Sequence, residues 1–160
     1  MIRTGIGFDI HRLAPGRKLI LGGVRIESDC GLAGHSDADV LCHAVIDALL
    51  GAVADGDIGT HFPDNDPCWK DADSLKMLAS VAGRLRLKGT AVINIDATVL
   101  AEKPRLTPYR EAMRGKLAQA LGIEESKVSI KATTSETLGA LGRGEGIAAM
   151  AVAAVEERSQ

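Results

Sequence analysis

The chain is nearly without aromatic residues: one Trp, one Tyr and two Phe in 160 positions, with a formal net charge of −2. Nucleic acids are bound through stacking platforms and a positive field. Neither is present, so nucleic acid is excluded as a partner and a single phosphorylated ligand stays open. Cysteine is scarce too. Cys30, Cys42 and Cys68 are scattered, with no CxxC pair, and read as reduced thiols of a reducing compartment rather than as a disulfide framework. No apolar run approaches the ~20 residues of a membrane helix, and the first residues form neither a secretory h-region nor a basic transit segment. A soluble, cytoplasmic protein with no membrane partner is expected. Also missing are a P-loop, an HExxH motif, internal repeats and low-complexity linkers. With 46% of its residues apolar, the chain is expected to fold as one domain over residues 1–160.

One absence is local. Between Arg25 and Lys70 there is no Lys or Arg, yet the stretch holds Glu27, Asp29, Asp37, Asp39, Asp47, Asp55, Asp57, Asp64 and Asp66. So dense an acidic run needs cations or solvent around it. Lys70, Lys103, Arg105, Lys131 and Arg143 lie beyond it, beside Pro-, Gly- and Thr-rich loops. If the fold joins the two groups, a metal and an anion share one cleft.

What is present alternates between strand and helix. "MIRTGIGFDI" reads as a strand on which Asp9 and His11 project to one side, because side chains alternate with period 2. "KLILGGVRI" reads as a second strand or as a hairpin broken at Gly22 and Gly23. "HSDADVLCHAVIDALLGAVADG" reads as a long helix capped by Ser36 or Asp37, with Leu41, Val45, Ala48, Leu49 and Ala52 as its apolar stripe and Gly56 as its stop. A second helix is expected over 74–88, capped by Asp73 or Ser74. A third starts at Thr107 and Pro108 and stops at Gly122. In "AVINIDATVL", Ile93, Ile95, Ala97 and Val99 alternate with Asn94, Asp96 and Thr98, and "VSIKATT" and "GIAAMAVAAVE" supply further strands. The expected fold class is an α/β (α+β) sandwich, a mixed β-sheet with helices packed on one face. Residues 55–73 fit neither period, and their Phe62 and Trp69 argue against simple disorder, so they read as a mobile but specific flap over a site.

Several residues carry chemistry. Asp9 and His11 on one strand face, with His43 on the next helix, make an Asp/His/His set that suits zinc with its fourth position open. An ordinary hydrogen-bonded Asp–His pair fits the spacing as well. His35 and Ser36 at a helix start are placed to bind anionic oxygens, or simply to cap. "KATTSETLG" sets hydroxyls and Glu136 just past a strand end, either a ligand loop or a capped turn. "LGRGEG" carries Arg143 on a Gly-rich loop, with a surface hairpin as its plainer reading.

Taken together, "GFDIHRL", "GHSDADVLCHAVIDALLGAVADGDIGTHFPDNDP", "KDADS", "INIDATVLAEKPRLTP", "VSIKATTSETLG" and "GRGEGIA", in this order and spacing, closely resemble the 2-C-methyl-D-erythritol 2,4-cyclodiphosphate synthase family over essentially the whole chain. The resemblance implies a homotrimer of small α/β subunits with active sites between neighbours, working in the non-mevalonate route to isoprenoids. Its implied substrate is 4-diphosphocytidyl-2-C-methyl-D-erythritol 2-phosphate, a cytidine-containing phosphorylated small molecule whose 2-phosphate attacks the β-phosphorus and expels CMP. By the same resemblance, Asp9, His11 and His43 are zinc ligands, and Glu136 is a ligand of a second ion, magnesium or manganese. His35 and Thr134 stabilise the transition state, and Ser36 contacts a phosphate. Ile10 lies among the substrate-contacting positions with Asp9 and His11. Asp57, Ile58 and Gly59 hold the methylerythritol hydroxyls, and Phe62, Pro63, Asp64, Asn65 and Asp66 continue that surface. Ala101, Glu102, Lys103, Pro104, Arg105, Leu106 and Thr107 match the cytosine and ribose pocket, and Thr133 and Ser135 extend it towards the diphosphate. Ala140 and Arg143 match positions near the trimer axis, where a channel accepting an isoprenoid phosphate is implied.

The chain departs from the family pattern twice. Pro104-Arg105 stands where Pro-Lys is usual, so a planar fork replaces a compact ammonium. Ala140 stands where many relatives carry a bulky side chain. Two other classes compete with the synthase. A non-catalytic, zinc-stabilised, nucleotide-binding trimer does not need Asp57 and Glu136 together, and a zinc hydrolase needs a base that the missing HExxH does not supply.

Overall fold

The computed structural model describes residues 1–157. Its longest strand, β1 (Ile2–Pro15), alternates as the sequence predicts: Gly7, Asp9 and His11 turn towards the helices, and Ile6, Phe8 and Ile10 turn away. Leu19–Leu21 (β2) and Val24–Ile26 (β3) form the hairpin reading of "KLILGGVRI", turning at Gly22 and Gly23. Both glycines have positive φ, 56° and 70°, as a tight two-residue hairpin requires. Cys30–Leu32 (β4) pairs with the end of β1. β5 (Thr90–Leu100), β6 (Val128–Thr133) and β7 (Gly146–Glu157) complete a five-stranded sheet of order β4-β1-β7-β5-β6. The β5–β6 pair is parallel and the others antiparallel, so the sheet is mixed.

Three helices, α1 (Val40–Ala52), α3 (Ser74–Leu87) and α4 (Arg110–Leu121), pack on one face of this sheet. Helix α1 lies directly on β1, and glycine makes that possible. A Cβ on Gly7 would sit 2.7 Å from the Ala48 amide nitrogen and inside the Ala44 carbonyl oxygen. Gly7→Ala therefore forces the helix off the strand, an overpacking cost of about 1–3 kcal/mol or more, and thermal unfolding should register a lowered midpoint.

Helix α1 corrects three expectations. Its cap is Asp39, not Ser36 or Asp37: the carboxylate accepts from Leu41 N and Cys42 N, both at 3.1 Å, and also from the Gly22 and Gly23 amides of the hairpin. Those long-range partners make Asp39 the only one of the three acids and hydroxyls whose cap is shared with the hairpin. The helix ends at Ala52 rather than at Gly56, because the chain already reverses at Ala54 (φ 54°). Nor is there a single apolar stripe, since α1 is buried almost all round.

Elsewhere the helix signals hold. Asp73 caps α3 through Leu75 N and Lys76 N, and Gly122 (φ 69°) closes α4 in the left-handed conformation. Thr107–Tyr109 forms a 3-10 turn before α4 begins at Arg110. In β5 a bulge between Val92 and Asn94 breaks the alternation, so Ile95, Ala97 and Val99 are buried but Ile93 is only half-buried. Residues 55–73 are not aperiodic in space. They contain the short helix α2 (Ile58–His61) and a 3-10 turn at Pro67–Trp69, capped by Asp57 and Asp66.

The other face of the sheet carries no helix among the described residues. It exposes Ile2, Ile6, Phe8 and Ile10 of β1 and Met150 and Val152 of β7, with Ile6 66% and Phe8 52% exposed. No described helix is long and apolar enough to cross a membrane.

Candidate functional site

Strand β1 and helix α1 bring Asp9, His11 and His43 to one point. The Asp9 Oδ2 atom lies 3.1 Å from His11 Nε2 and 2.9 Å from His43 Nδ1, and the two ring nitrogens are 3.4 Å apart. Four ligands around zinc at 2.0–2.1 Å stand about 3.3 Å from one another. The three atoms thus match one face of a zinc tetrahedron and leave its fourth corner open. The donor chemistry fits as well. His11 Nδ1 donates to the Ala33 carbonyl at 2.8 Å, which fixes its lone pair on Nε2, facing the cradle.

The cradle's electrostatics suit a cation. Burial works to raise the Asp9 pKa, but the His11 and His43 rings beside it overcome that and hold the carboxylate ionised well below its usual range. The same carboxylate raises His11 above its ordinary 6.5, against the effect of burial.

The cradle opens into a cleft of about 540 Å³. His35 and Ser36 line it from the loop before α1, Ile58 and Gly59 from α2, and Phe62, Pro63, Asp64 and Asn65 from the loop that follows. That loop is held by packing: Phe62 and Trp69 meet edge to face with centroids 4.9 Å apart, and Asp47 on α1 accepts from Ile58 N at 2.7 Å. Asp57 and Asp66 lie at its margins. Asp57 accepts from both Thr60 N and Thr60 Oγ1 at 2.8 Å, and the Asp66 carbonyl is 3.3 Å from His35 Nε2. Ile10 projects to the bare sheet face, 49% exposed, because it is one residue out of phase with Asp9 and His11.

The remaining candidates form a second cluster at the carboxyl ends of β5 and β6. Glu102 Oε1 accepts from Ser135 N at 2.9 Å and Ser135 Oγ at 3.0 Å, joining the segment Ala101, Glu102, Lys103, Pro104, Arg105, Leu106 and Thr107 to the segment Thr133, Thr134, Ser135 and Glu136. Thr134 Oγ1 donates to Glu136 Oε1 at 2.8 Å. Glu136 and Thr137 are consecutive non-glycine residues with φ of 52° and 64°, a strained pair of the kind that clusters at functional loops. Ala140 lies in the four-residue helix α5 (Gly139–Gly142), and Arg143 just after it pairs with Glu145 at 2.6 Å.

Within one chain the two clusters do not share a cleft. His11, Ile147, Ala148, Leu100 and Thr133 lie level across the sheet, so both clusters sit at the same end of it, two or three strand steps, or roughly 10–15 Å, apart. The condition for a metal and an anion to share one cleft, a fold that joins the acidic run to the cations, is thus not met within one chain. Among the described residues no Lys or Arg lines the cleft, while Lys103 and Arg105 belong to the other cluster. Sequence reasoning also missed Gly34 and Met77 in the lining, and placed Trp69 only in the flap over the site. The Gly34 signal is steric, a Cβ there standing 3.0 Å from His11 Cε1, and Met77 reads only as core.

Fold and cradle define a mixed α/β protein with a candidate three-residue site for a divalent cation. The model of the YgbB family matches residues 2–156. The 2-C-methyl-D-erythritol 2,4-cyclodiphosphate synthase of Thermosynechococcus vestitus is 59% identical over 155 residues, 97% of this chain and 96% of that protein. Among solved structures, the bifunctional IspDF from Campylobacter jejuni superposes with a TM-score of 0.95 at 41% identity, over 99% of this chain, which spans 43% of that one. The Plasmodium falciparum IspF in complex with CDP gives 0.86 at 32% identity, covering 99% of this chain and 97% of that one. The chain belongs to the YgbB family, the 2-C-methyl-D-erythritol 2,4-cyclodiphosphate synthases. It is accordingly an enzyme of the non-mevalonate route to isoprenoids, and the reading as a non-catalytic nucleotide-binding protein finds no support.

Proposed function

We propose that the chain, as one synthase domain in the cytoplasm, converts 4-diphosphocytidyl-2-C-methyl-D-erythritol 2-phosphate to 2-C-methyl-D-erythritol 2,4-cyclodiphosphate and CMP. The observation that carries this reading is the Asp9–His11–His43 cradle opening into the Ile58–Phe62 cleft, in a chain that matches the synthase family along its length. In the reaction an oxygen of the 2-phosphate bonds to the β-phosphorus, the bond from that phosphorus to the α-phosphate oxygen breaks, and CMP leaves with the electron pair. No protein nucleophile and no water take part. The enzyme's task is to bring two anionic phosphates together and to neutralise their charge.

When bound, zinc on Asp9, His11 and His43 and magnesium or manganese on Glu136 supply that positive charge at the phosphate oxygens. The chain's own groups do the rest. Asp57 and the Ile58–Gly59 turn hold the methylerythritol hydroxyls, and Phe62, Pro63, Asp64, Asn65 and Asp66 close the cleft against water. Ser36 contacts a phosphate, and His35 and Thr134 stabilise the pentavalent phosphorus. Residues 101–107, with Thr133 and Ser135, hold the cytidine and its diphosphate, Arg105 supplying a fork where an ammonium is usual.

A homotrimer with shared sites accounts for two features of the single chain. The bare sheet face, with Ile2, Ile6, Phe8, Ile10, Met150 and Val152, is the surface that further copies cover. A neighbouring copy then brings its Glu136 cluster to the first copy's cradle, which also sets Ala140 and Arg143 near the axis. CMP release from the named substrate, dependent on added divalent cation, tests the activity. Subunit mixing tests the shared site. Trimers co-assembled from His43→Ala and Glu136→Gln copies should regain activity, with about a quarter of sites intact at equal mixing. Two inactive variants that stay inactive when mixed would place the whole site in one chain.

A further inference from the structure

The proton on His43 is fixed by two residues outside the metal cradle. Ser74, the first residue of α3, is fully buried, with Oγ 2.9 Å from His43 Nε2. Its hydroxyl donates to the Asp37 carboxylate, and Asp37 Oδ2 accepts from Ser74 N at 3.1 Å. A hydroxyl has one proton. With that proton given to a carboxylate, which only accepts, Ser74 Oγ must accept from His43, so the histidine proton lies on Nε2 and the lone pair on Nδ1. Nδ1 is the atom that faces Asp9. Ser36 Oγ, 3.2 Å from the same Nε2, offers that proton a second acceptor.

From this geometry we infer that Asp37 and Ser74 are positioning residues of the metal site: they hold His43 in its ligating tautomer and orientation, the carboxylate acting through the hydroxyl. Asp37 is itself placed by backbone bonds between the two segments, Asp37 N to Ala72 O at 3.0 Å and Asp71 N to His35 O at 2.8 Å. The relay is thus anchored where the cleft loop runs into α3. Outer partners of this kind are worth about 10- to 100-fold in metal affinity.

The inference rests on the Asp9–His11–His43 metal site, and its test separates the two. Metal-stripped, full-length protein is titrated with Co²⁺, read by the ion's visible absorption, and then competed with Zn²⁺. Ser74→Ala should weaken binding by about 10- to 100-fold and Asp37→Asn by about tenfold, while Ser74→Thr, which keeps the hydroxyl, restores affinity. Ser74→Ala combined with Asp37→Asn should be little worse than Ser74→Ala alone, because both act through one hydrogen bond. Asp73 caps α3 without Ser74, so the alanine variant keeps its helix start. A folded Ser74→Ala or Asp37→Asn protein with wild-type Co²⁺ and Zn²⁺ affinity, changed only in unfolding temperature, overturns the inference. Wild-type Co²⁺ binding that His43→Ala leaves untouched overturns the metal site and the inference with it.

Discussion

His43→Ala should lower turnover by about 10³-fold and strip the protein of zinc while leaving it folded. One ligand of three is lost, and Asp9 and His11 alone leave two corners of the tetrahedron to water. The substituted position lies inside α1, where alanine is the best helix former. The cost is the loss of the imidazole beside Asp9 and of the N–H that Ser74 accepts from, about 1–3 kcal/mol. The core that remains runs from Leu19 to Val155 and involves all three large helices, so metal does not decide folding. Asp9→Ala should behave alike, since its Oδ2 is the atom both histidines approach. Zinc content, kcat and a thermal melt on the same samples check this. Variants that retain stoichiometric zinc and near-normal turnover would remove these residues from the site.

Glu136→Gln should lower kcat by about 10²- to 10³-fold and weaken the response to magnesium and manganese, with zinc content and stability unchanged. As an exposed residue of a surface turn, its substitution would ordinarily change stability by less than ~0.5 kcal/mol and activity not at all. The conformation argues for more. Glu136 and Thr137 both hold left-handed backbone, and Thr134 orients the carboxylate from two residues away. Glutamine keeps that shape and removes the charge a hard cation requires. A Glu136→Gln enzyme with wild-type kcat and an unaltered metal titration would make Glu136 a loop residue and no more.

Much of the fold was legible because local signals and tertiary packing agree. The period-2 run of β1, the Gly22-Gly23 turn, the Asp73 cap and the Gly122 stop are each decided within a few residues. The misreadings occur where distant segments decide. Asp39 wins the α1 cap because the β2–β3 hairpin supplies two more donors to it, and Ile93 leaves the alternation at a bulge imposed by pairing with β7. Residues 55–73 gain their turns from the Asp57 and Asp66 caps and the Phe62–Trp69 contact, none of which has a period.

The candidate site divides the same way. Asp9 and His11 share a strand face by arithmetic, and His43 joins them because Gly5 and Gly7 let α1 lie on that strand. The separation of the cradle from the Glu102–Ser135 cluster had no local signal. It follows from β7, the last strand in sequence, entering between β1 and β5. Asp37 and Ser74 read as two cap candidates for different helices, and only the packing of α3 beside α1 makes them a relay to one histidine.

The most direct measurement is phosphorus NMR of the products formed by the zinc-loaded, magnesium-supplemented enzyme from 4-diphosphocytidyl-2-C-methyl-D-erythritol 2-phosphate. The account predicts CMP and the cyclic diphosphate in equal amounts, because the substrate's own phosphate displaces CMP in a cleft closed to water. CMP with an uncyclised diphosphate would identify a hydrolase, and unchanged substrate bound to metal-loaded protein would identify a binding protein; either result would contradict it.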